Sequence, residues 1–415
     1  MRRFANLYIM LFFIDAGLSL ADELLKFFAS SLPLFSGLRY SVAYIVITLS
    51  MVLFACLGID RRLPKRLLLP LILYISWSAL ALWPLSSVVD RASLGLIAAA
   101  GQLLLGGVAV LVLRGPGGQP LLGKAQFRGP MFGWRNTLGF TAINLLLLPF
   151  VLVYSGLAIT GSYLEQQTAG FLRLSPVGIY MSERSYHRDA KVVRLAGMMH
   201  IGKEDYYEEL AGAMSAGGTI ILAEGVTDHD RLLVNQFNYS KLAGVIGLSS
   251  QEKMRIDGNL VDLDHLDERS ADAAGQDKPD IASADIDLNQ FEPQTIEFLN
   301  QLGRTLLGDK PLFEGLAEYN AWANEHMTPE WIAGVMTDIL DKRNAVVIDG
   351  LARSLARYDT IIIPWGAMHM PAIEKAVLAQ GFTADTARER LSVDFREIPY
   401  VELWQKLSAQ AAESP

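Results

Sequence analysis

The chain has 415 residues and a single cysteine, Cys56. That thiol lies inside a long apolar run, so everything beyond about residue 160 has none. Disulfides, cysteine-based zinc sites and a cysteine nucleophile are thereby excluded from the C-terminal part. Positive charge is also scarce there: residues 166–415 hold 23 Lys and Arg against 38 Asp and Glu. So acidic a domain is poorly suited to phosphate backbones, and no nucleic acid partner is expected. Residues 1–165 lack charge of either sign over long stretches, with 13 Lys and Arg and 6 Asp and Glu. No internal repeat of fixed period appears.

What fills the first third instead is apolar length. Five runs stand out: Leu7–Leu20, Tyr40–Leu57, Leu67–Leu85, Ala92–Leu113 and Thr137–Ile159. A membrane-crossing helix needs about 20 mostly apolar residues, and the last four runs approach that length with no interior charge. The first is weaker, because Asp15 interrupts it and Asp22 and Glu23 follow. Continued through Leu24–Leu38, it either spans with a polar interior face or lies partly at the interface. A cleaved signal peptide is the competing reading of Met1-Arg2-Arg3, but the later runs make it unnecessary and no small-residue cleavage site follows. The expectation is an α-helical membrane domain, residues 1–165, with four to five transmembrane helices and the lipid bilayer as partner.

Lys and Arg in the short loops set the orientation. Arg61, Arg62, Lys65 and Arg66 follow the second run, and Arg114, Lys124, Arg128 and Arg135 follow the fourth. The loop between these two has only Arg91. The rich loops should be cytoplasmic, which puts residues 166–415 outside the cytoplasmic (inner) membrane.

That second portion reads as an α/β domain with a mixed, mostly parallel sheet and flanking helices. Gly178–Arg184 and Lys191–Met199 read as strands, with Ser185–Asp189 as a turn. Lys203–Ala216 has helical spacing and Thr219–Ala223 returns to strand, a β-α-β succession that argues for a parallel pair. Arg231–Ile246 reads as helix. Ser249–Pro293 is rich in aspartate, including Asp262, Asp264, Asp267, Asp272, Asp277 and Asp280. It lacks EF-hand spacing and the central glycine, so it reads as a solvated excursion or lid. Helices follow at Pro293–Leu307, Leu316–Asn324, Pro329–Leu340 and Ala345–Arg357, the third with Thr328-Pro329 as its start. Tyr358–Trp365 is the next strand, Pro371–Gln380 a helix, and Ser392–Tyr400 a final strand. The tail Gln405–Pro415 reads as frayed.

Two copies of one pattern carry the chemistry: Gly197-Met198-Met199-His200 and Gly366-Ala367-Met368-His369. Each closes an apolar strand and precedes a helix, so each histidine should project over the sheet edge, where open α/β sheets bind ligands. Glycine three residues earlier allows a sharp turn and close approach. Neutral imidazole serves as a metal ligand or general base; a turn histidine bonded to backbone is the bland alternative. Glu224, after the strand Thr219–Ala223, could ligate a metal, orient a histidine or activate water, or merely cap a helix. Asp228 and His229 read as that helix's N-cap and a surface histidine. Arg343 and Asn344 lie in what reads as an inter-helix turn; arginine could clamp a carboxylate. Glu204, Glu208 and Glu209 read as a solvated face, and Asp285 and Asp287 rank behind the others as extra ligands. His187, His265 and His326 carry no role.

In order and spacing, Val193–His200 with Tyr206–Leu210, then Ile220–Gly225, Lys342–Asn344 and Ile362–His369, resemble the TraB/TIKI (TraB/GumN) family. Its members share paired GxxH motifs, a glutamate after a following strand, and an Arg-Asn pair before the second motif. They belong to a wider group with erythromycin-esterase-like and haem-binding ChaN-like proteins. The resemblance covers about residues 190–385. Here Met198 follows the first motif glycine, where many members have threonine, and the stretch 249–293 aligns poorly. It implies an α/β domain whose two motifs meet at one site in a membrane-anchored bacterial member. Animal members are membrane-tethered, divalent-metal-dependent proteases facing outside the cell; bacterial relatives include inhibitors of peptide pheromone signalling. By that resemblance His200, Glu224, Arg343, Asn344 and His369 are the catalytic set, and His200, His369 and Glu224 the ligands of a divalent ion of Mn, Co or Zn type.

The expected function is metal-dependent hydrolysis, with a peptide or protein as substrate. The alternative is a membrane-held protein that sequesters or inhibits a secreted peptide signal without cutting it. Haem or metal-chelate binding would use the same histidines but lacks an aromatic cluster near the motifs.

Overall fold

The computed structural model describes residues 1–28, 33–114, 120–234, 243, 247–251, 254–266, 277–307 and 312–413. It divides into two compact units, Met1–Ser162 and Tyr163–Pro415. The first contains α1 (Arg2–Phe28), α2 (Pro33–Ile59), α3 (Lys65–Ala79), α4 (Arg91–Arg114) and most of α5 (Trp134–Gln167). Stretches of α1, α2, α4 and α5 are long and apolar enough to cross a membrane.

The spanning candidates differ from expectation in one exchange. The first run, weakened by Asp15, forms a full-length helix. The third yields only the 15 residues of α3, about 22 Å at 1.5 Å per residue, against a hydrocarbon core of about 30 Å. Ala81 and Leu82, at φ 54° and 55°, end it by turning the chain through the left-handed region. A 3₁₀ turn, Leu85–Ser87, leads on towards α4.

Hydrogen bonds gather three segments at one end of this unit. Asn6 exchanges bonds with Leu122, Arg61 N donates to Met131 O at 3.0 Å, and Lys65 bonds Asn136. The loops rich in Lys and Arg therefore share an end with the start of α1. Buried side chains of α1, α2 and α3, among them Tyr8, Phe12, Leu53, Leu57, Leu68 and Leu71, form the core.

The second unit is built on an eight-stranded mixed sheet. Its strands are β1 (Leu172–Leu174), β2 (Gly178–Arg188), β3 (Lys191–Met198), β5 (Thr219–Ala223), β7 (Asn259–Val261), β8 (Asp280–Ser283), β9 (Thr360–Gly366) and β10 (Thr383–Asp394). The order is β1-β2-β3-β9-β5-β8-β7, with β10 also on β2. β3, β9, β5, β8 and β7 run parallel; β1, β2 and β10 are joined by antiparallel pairing. Two short strands, β4 (Ile201–Gly202) and β6 (Ser249–Ser250), pair separately. The central strands are continuously apolar because both faces are covered: Ile220, Ile221, Leu222 and Ile361, Ile362, Ile363 are all buried.

Several expected boundaries shift. Ser185–Arg188 is strand, not turn, since Arg188 pairs with Lys191 and Asp189 at φ 53° makes the hairpin. The helix after the first motif, α6 (Glu204–Gly212), is shorter than its periodic pattern. β3 and β5 are parallel but not adjacent, because β9 inserts between them. The aspartate-rich stretch is not wholly an excursion: it supplies β6, β7 and β8, and Asp280 is buried with its Oδ2 accepting from Tyr358 OH at 2.7 Å. The final strand starts at Thr383, nine residues before the expected start, because its charged outer half is an exposed edge where alternation carries no apolar signal. Residues 400–413 form a helix instead of a frayed tail. Asp267, Asp272 and most of the expected helix Arg231–Ile246 lie outside the described residues, while residues 231–234 are not helical.

Among the described residues four α-helices lie between β8 and β9: α7 (Pro293–Leu307), α8 (Leu312–His326), α9 (Pro329–Met336) and α10 (Arg343–Ser354). Thr328 caps α9 by accepting from Trp331 N, as Thr-Pro predicts. Between α9 and α10 the chain makes a π-helical turn, Thr337–Lys342. α11 (Met370–Ala379) follows β9, and α12 (Tyr400–Glu413) ends the chain.

Candidate functional site

The carboxyl ends of four parallel strands deliver the site. Register pairs Gly197 with Trp365 and Met198 with Gly366, so the two GxxH motifs leave the sheet side by side from β3 and β9. β5 pairs with both β9 and β8, which brings Glu224, just after β5, between the β9 and β8 ends. Asp285 follows β8 by two residues. Across these ends lies the start of α10, carrying Arg343 and Asn344.

Arg343 is the hub. Its Nε and Nη2 donate to Asp285 Oδ1 and Oδ2 at 2.9 and 2.7 Å, a bidentate pair, and Nη2 also reaches Glu224 Oε1 at 2.7 Å. Nη1 lies 3.3 Å from His369 Nε2, and the guanidinium carbon sits 5.3 Å from the centroid of the Trp365 ring. Burial works against the Arg343 charge, but its bonds to Asp285 and the charges of Asp285 and Glu224 outweigh this and raise its pKa. Glu224 is fixed from the other side by Gly366 N, which donates to Oε2 at 2.6 Å. Asp285 also accepts from Gly225 N at 3.0 Å.

His369 is 4% exposed. It therefore sits within the core edge, where the motif suggested an imidazole projecting over the sheet edge. Its ring packs edge-on against Trp365, centroids 5.0 Å apart. Nδ1 donates to Asn344 Oδ1 at 2.8 Å, which leaves the lone pair on Nε2, 3.7 Å from Glu224 Oε1. Burial pushes its pKa down to about 4; the Glu224 charge opposes this, while Arg343 and His200 add to the lowering. The imidazole is neutral at pH 7. His200 is half-buried and its carbonyl accepts from Gln251 N at 3.0 Å.

The motif glycines play unequal parts. A Cβ at Gly197 would come within 3.2 Å of Ser182 O, so β2 and β3 do approach closely there. One at Gly366 would meet nothing nearer than 3.5 Å, and neither glycine has positive φ. The turn expected after β9 is made, with His369 N donating to Gly366 O at 2.9 Å, but it does not need a left-handed glycine.

A cavity of about 570 Å³ opens beside the network. Glu224, Arg343, His200 and Gln251 line one side, and Leu288, Phe291, Leu299, Leu302 and Ile339 contribute an apolar wall. All five residues singled out by sequence thus belong to one neighbourhood. Asp285, ranked lower, is a full member; its only sequence signal is its place two residues beyond a strand. Asp287 stands apart, accepting from Thr227 Oγ1 at 2.7 Å, which with Asn289 N and His229 holds its carboxyl well below the usual range. Asp228 caps a turn through Leu232 N at 2.7 Å. Glu209 faces Arg388 and Arg390 instead of the site. His187, His265 and His326 bond locally to Thr383, Asp262 and Trp322.

Among the described residues no group of three or more His, Cys, Asp and Glu side chains is gathered to hold a metal. The donor chemistry nonetheless fits a divalent ion at the His369–Glu224 pair. His369 Nδ1–H donates to Asn344 Oδ1, the outer contact that orients a ligating imidazole, and Nε2 carries no proton and faces a carboxylate. An ion there would replace the Arg343 contact to Nε2.

No family model, curated protein or solved structure matches the chain.

Proposed function

We propose that the protein is a membrane-anchored hydrolase of the TraB/TIKI type, acting on peptides outside the cytoplasmic membrane. The observation that carries this reading is the buried His369–Asn344, Glu224–Arg343–Asp285 network at the strand ends, beside a half-apolar cavity. The Lys- and Arg-rich loops share one end of the helical unit, which supports an orientation with that end cytoplasmic. α5 starts at that end, so the domain following it would be extracytoplasmic.

His200, His369 and Glu224 would hold a divalent ion, which lowers the pKa of bound water and polarises a carbonyl. The chain's own residues do the rest. Asn344 fixes the His369 tautomer, and burial keeps Nε2 unprotonated. Arg343 holds Glu224 in place and presents positive charge near the cavity, where an oxyanion or substrate carboxylate would be stabilised. The Leu288, Phe291 and Leu302 wall accepts apolar side chains and excludes water.

The second reading is sequestration of a secreted peptide without cleavage. One observation favours it: Arg343 already engages both Glu224 Oε1 and His369 Nε2, so the two candidate ligands are satisfied within the protein. A mixed peptide library incubated with the full chain in detergent separates the readings. Cleavage products that vanish with chelator, return with Mn²⁺, Co²⁺ or Zn²⁺, and are lost in His200→Ala, His369→Ala and Glu224→Gln are the expected result. Intact peptides co-purifying with wild type and these variants alike would overturn hydrolysis in favour of sequestration.

A further inference from the structure

The helical unit holds a second cavity, of about 320 Å³, which the proposed hydrolytic chemistry does not use. Asp15 lies on its wall, near the middle of α1, about 20 Å along the helix from Arg2 at 1.5 Å per residue. The residue is 5% exposed. Its Oδ2 accepts from Gln102 Nε2 at 2.9 Å, and the same amide donates to Phe12 O at 3.1 Å. Among the described residues its Oδ1 has no hydrogen-bond partner, and neither does Ser78 Oγ, another buried atom on the same wall. Two orphaned polar atoms facing one cavity indicate a missing partner.

Charge bookkeeping says which sign that partner carries. Arg39 Nη1 bonds Asp22 Oδ2 at 2.6 Å and Glu23 Oε1 at 2.7 Å, and Lys26 Nζ reaches the same two carboxylates at 2.8 and 3.0 Å. Arg39 also lines the cavity but is held by Asp22 and Glu23, so among the described residues Asp15 is the carboxylate on this wall with no ion-pair partner of its own. An ionisable group at such a depth in a span is expensive unless it has work to do. The rest of the wall is largely apolar, with Ile47, Ile75, Leu82 and Leu94. One water takes about 30 Å³, so the space far exceeds what a bare ion needs.

We propose that this cavity binds an organic ammonium with an apolar body, its N–H groups donating to Asp15 Oδ1 and Ser78 Oγ. The inference rests on the helical unit alone and is independent of the hydrolytic reading.

Isothermal titration of the full-length protein in detergent with benzylammonium chloride tests it, using benzyl alcohol as the neutral analogue and sodium chloride as the salt control. Saturable benzylammonium binding is expected, with benzyl alcohol weaker by at least about tenfold, since a charge-assisted hydrogen bond contributes that much. Asp15→Asn should weaken it by at least about tenfold and Ser78→Ala by several-fold, while His369→Ala leaves it unchanged. Absence of saturable binding, equal binding of benzyl alcohol, or displacement by equimolar sodium would each overturn the proposal. So would an unchanged affinity in Asp15→Asn that is monodisperse and helical. Should Asp15→Asn not fold, an unchanged affinity in Ser78→Ala decides against it.

Discussion

His369 donates its Nδ1 proton to the side-chain oxygen of Asn344 at 2.8 Å, and that bond determines which face of the imidazole is basic. Both residues are buried, His369 on the loop after β9 and Asn344 on the first turn of α10. Replacing Asn344 with Leu leaves the ring nitrogen without a partner. The expected cost is about 1–3 kcal/mol, read as a lower denaturation midpoint. Nitrogen chemical shifts of His369 should also show a mixture of tautomers where the wild type shows one.

Arg343 bridges two buried carboxylates. Arg343→Met removes the cation and strands Glu224 and Asp285, so a loss of about 3–5 kcal/mol is expected. Arg343→Lys keeps the charge but not the planar fork, and should fall between the two in urea denaturation. A Met variant as stable as wild type would show that the cluster contributes nothing net to folding.

The depressed His369 pKa makes stability depend on pH in the metal-free protein. The unfolded chain takes up a proton near 6.5, which the folded protein refuses until about 4. The contribution is therefore complete above pH 6.5 and is lost as pH falls towards 4. At 1.36 kcal/mol per pH unit, the loss is about 3 kcal/mol. Subtracting the stability-versus-pH curve of His369→Gln from that of wild type should isolate this slope. A flat difference between pH 6.5 and 4 would contradict the buried, neutral imidazole.

Gly178 begins β2 directly beneath β10. A Cβ there would fall 1.9 Å from the backbone oxygen of Val393, an atom that no side-chain rotation can move. Gly178→Ala should therefore cost about 3 kcal/mol or more and loosen the Ile179–Val393 register. Hydrogen exchange on β10 amides would report it, with protection lost there before the β3–β9 pairs are affected.

Much of this was legible in the sequence where one physical signal dominates. Apolar length marked the helical unit, because about 20 apolar residues in a row have few other uses. Continuous apolar runs marked β5 and β9, because central parallel strands are covered on both faces. The residues His200, Glu224, Arg343, Asn344 and His369 stood out by order and spacing. Only the paired register of β3 and β9 brought the two motifs to one edge, and only the insertion of β9 beside β5 set Glu224 against Gly366 N. Asp285 was close to invisible, since nothing local separates it from the other aspartates of its stretch.

Local patterns, then, determined the two-part organisation and the identity of most of the candidate site residues. Tertiary structure decided the rest: α3 is too short to cross by itself, Arg343 starts a helix after a π turn instead of lying in a loop, and His369 is buried and neutral. The reason is physical. Periodicity and composition report how a segment meets its average surroundings, whereas strand order, burial of one imidazole and the pairing of one guanidinium depend on residues far apart in sequence, 119 positions for the Arg343–Glu224 pair and 216 for the Gly178–Asp394 register.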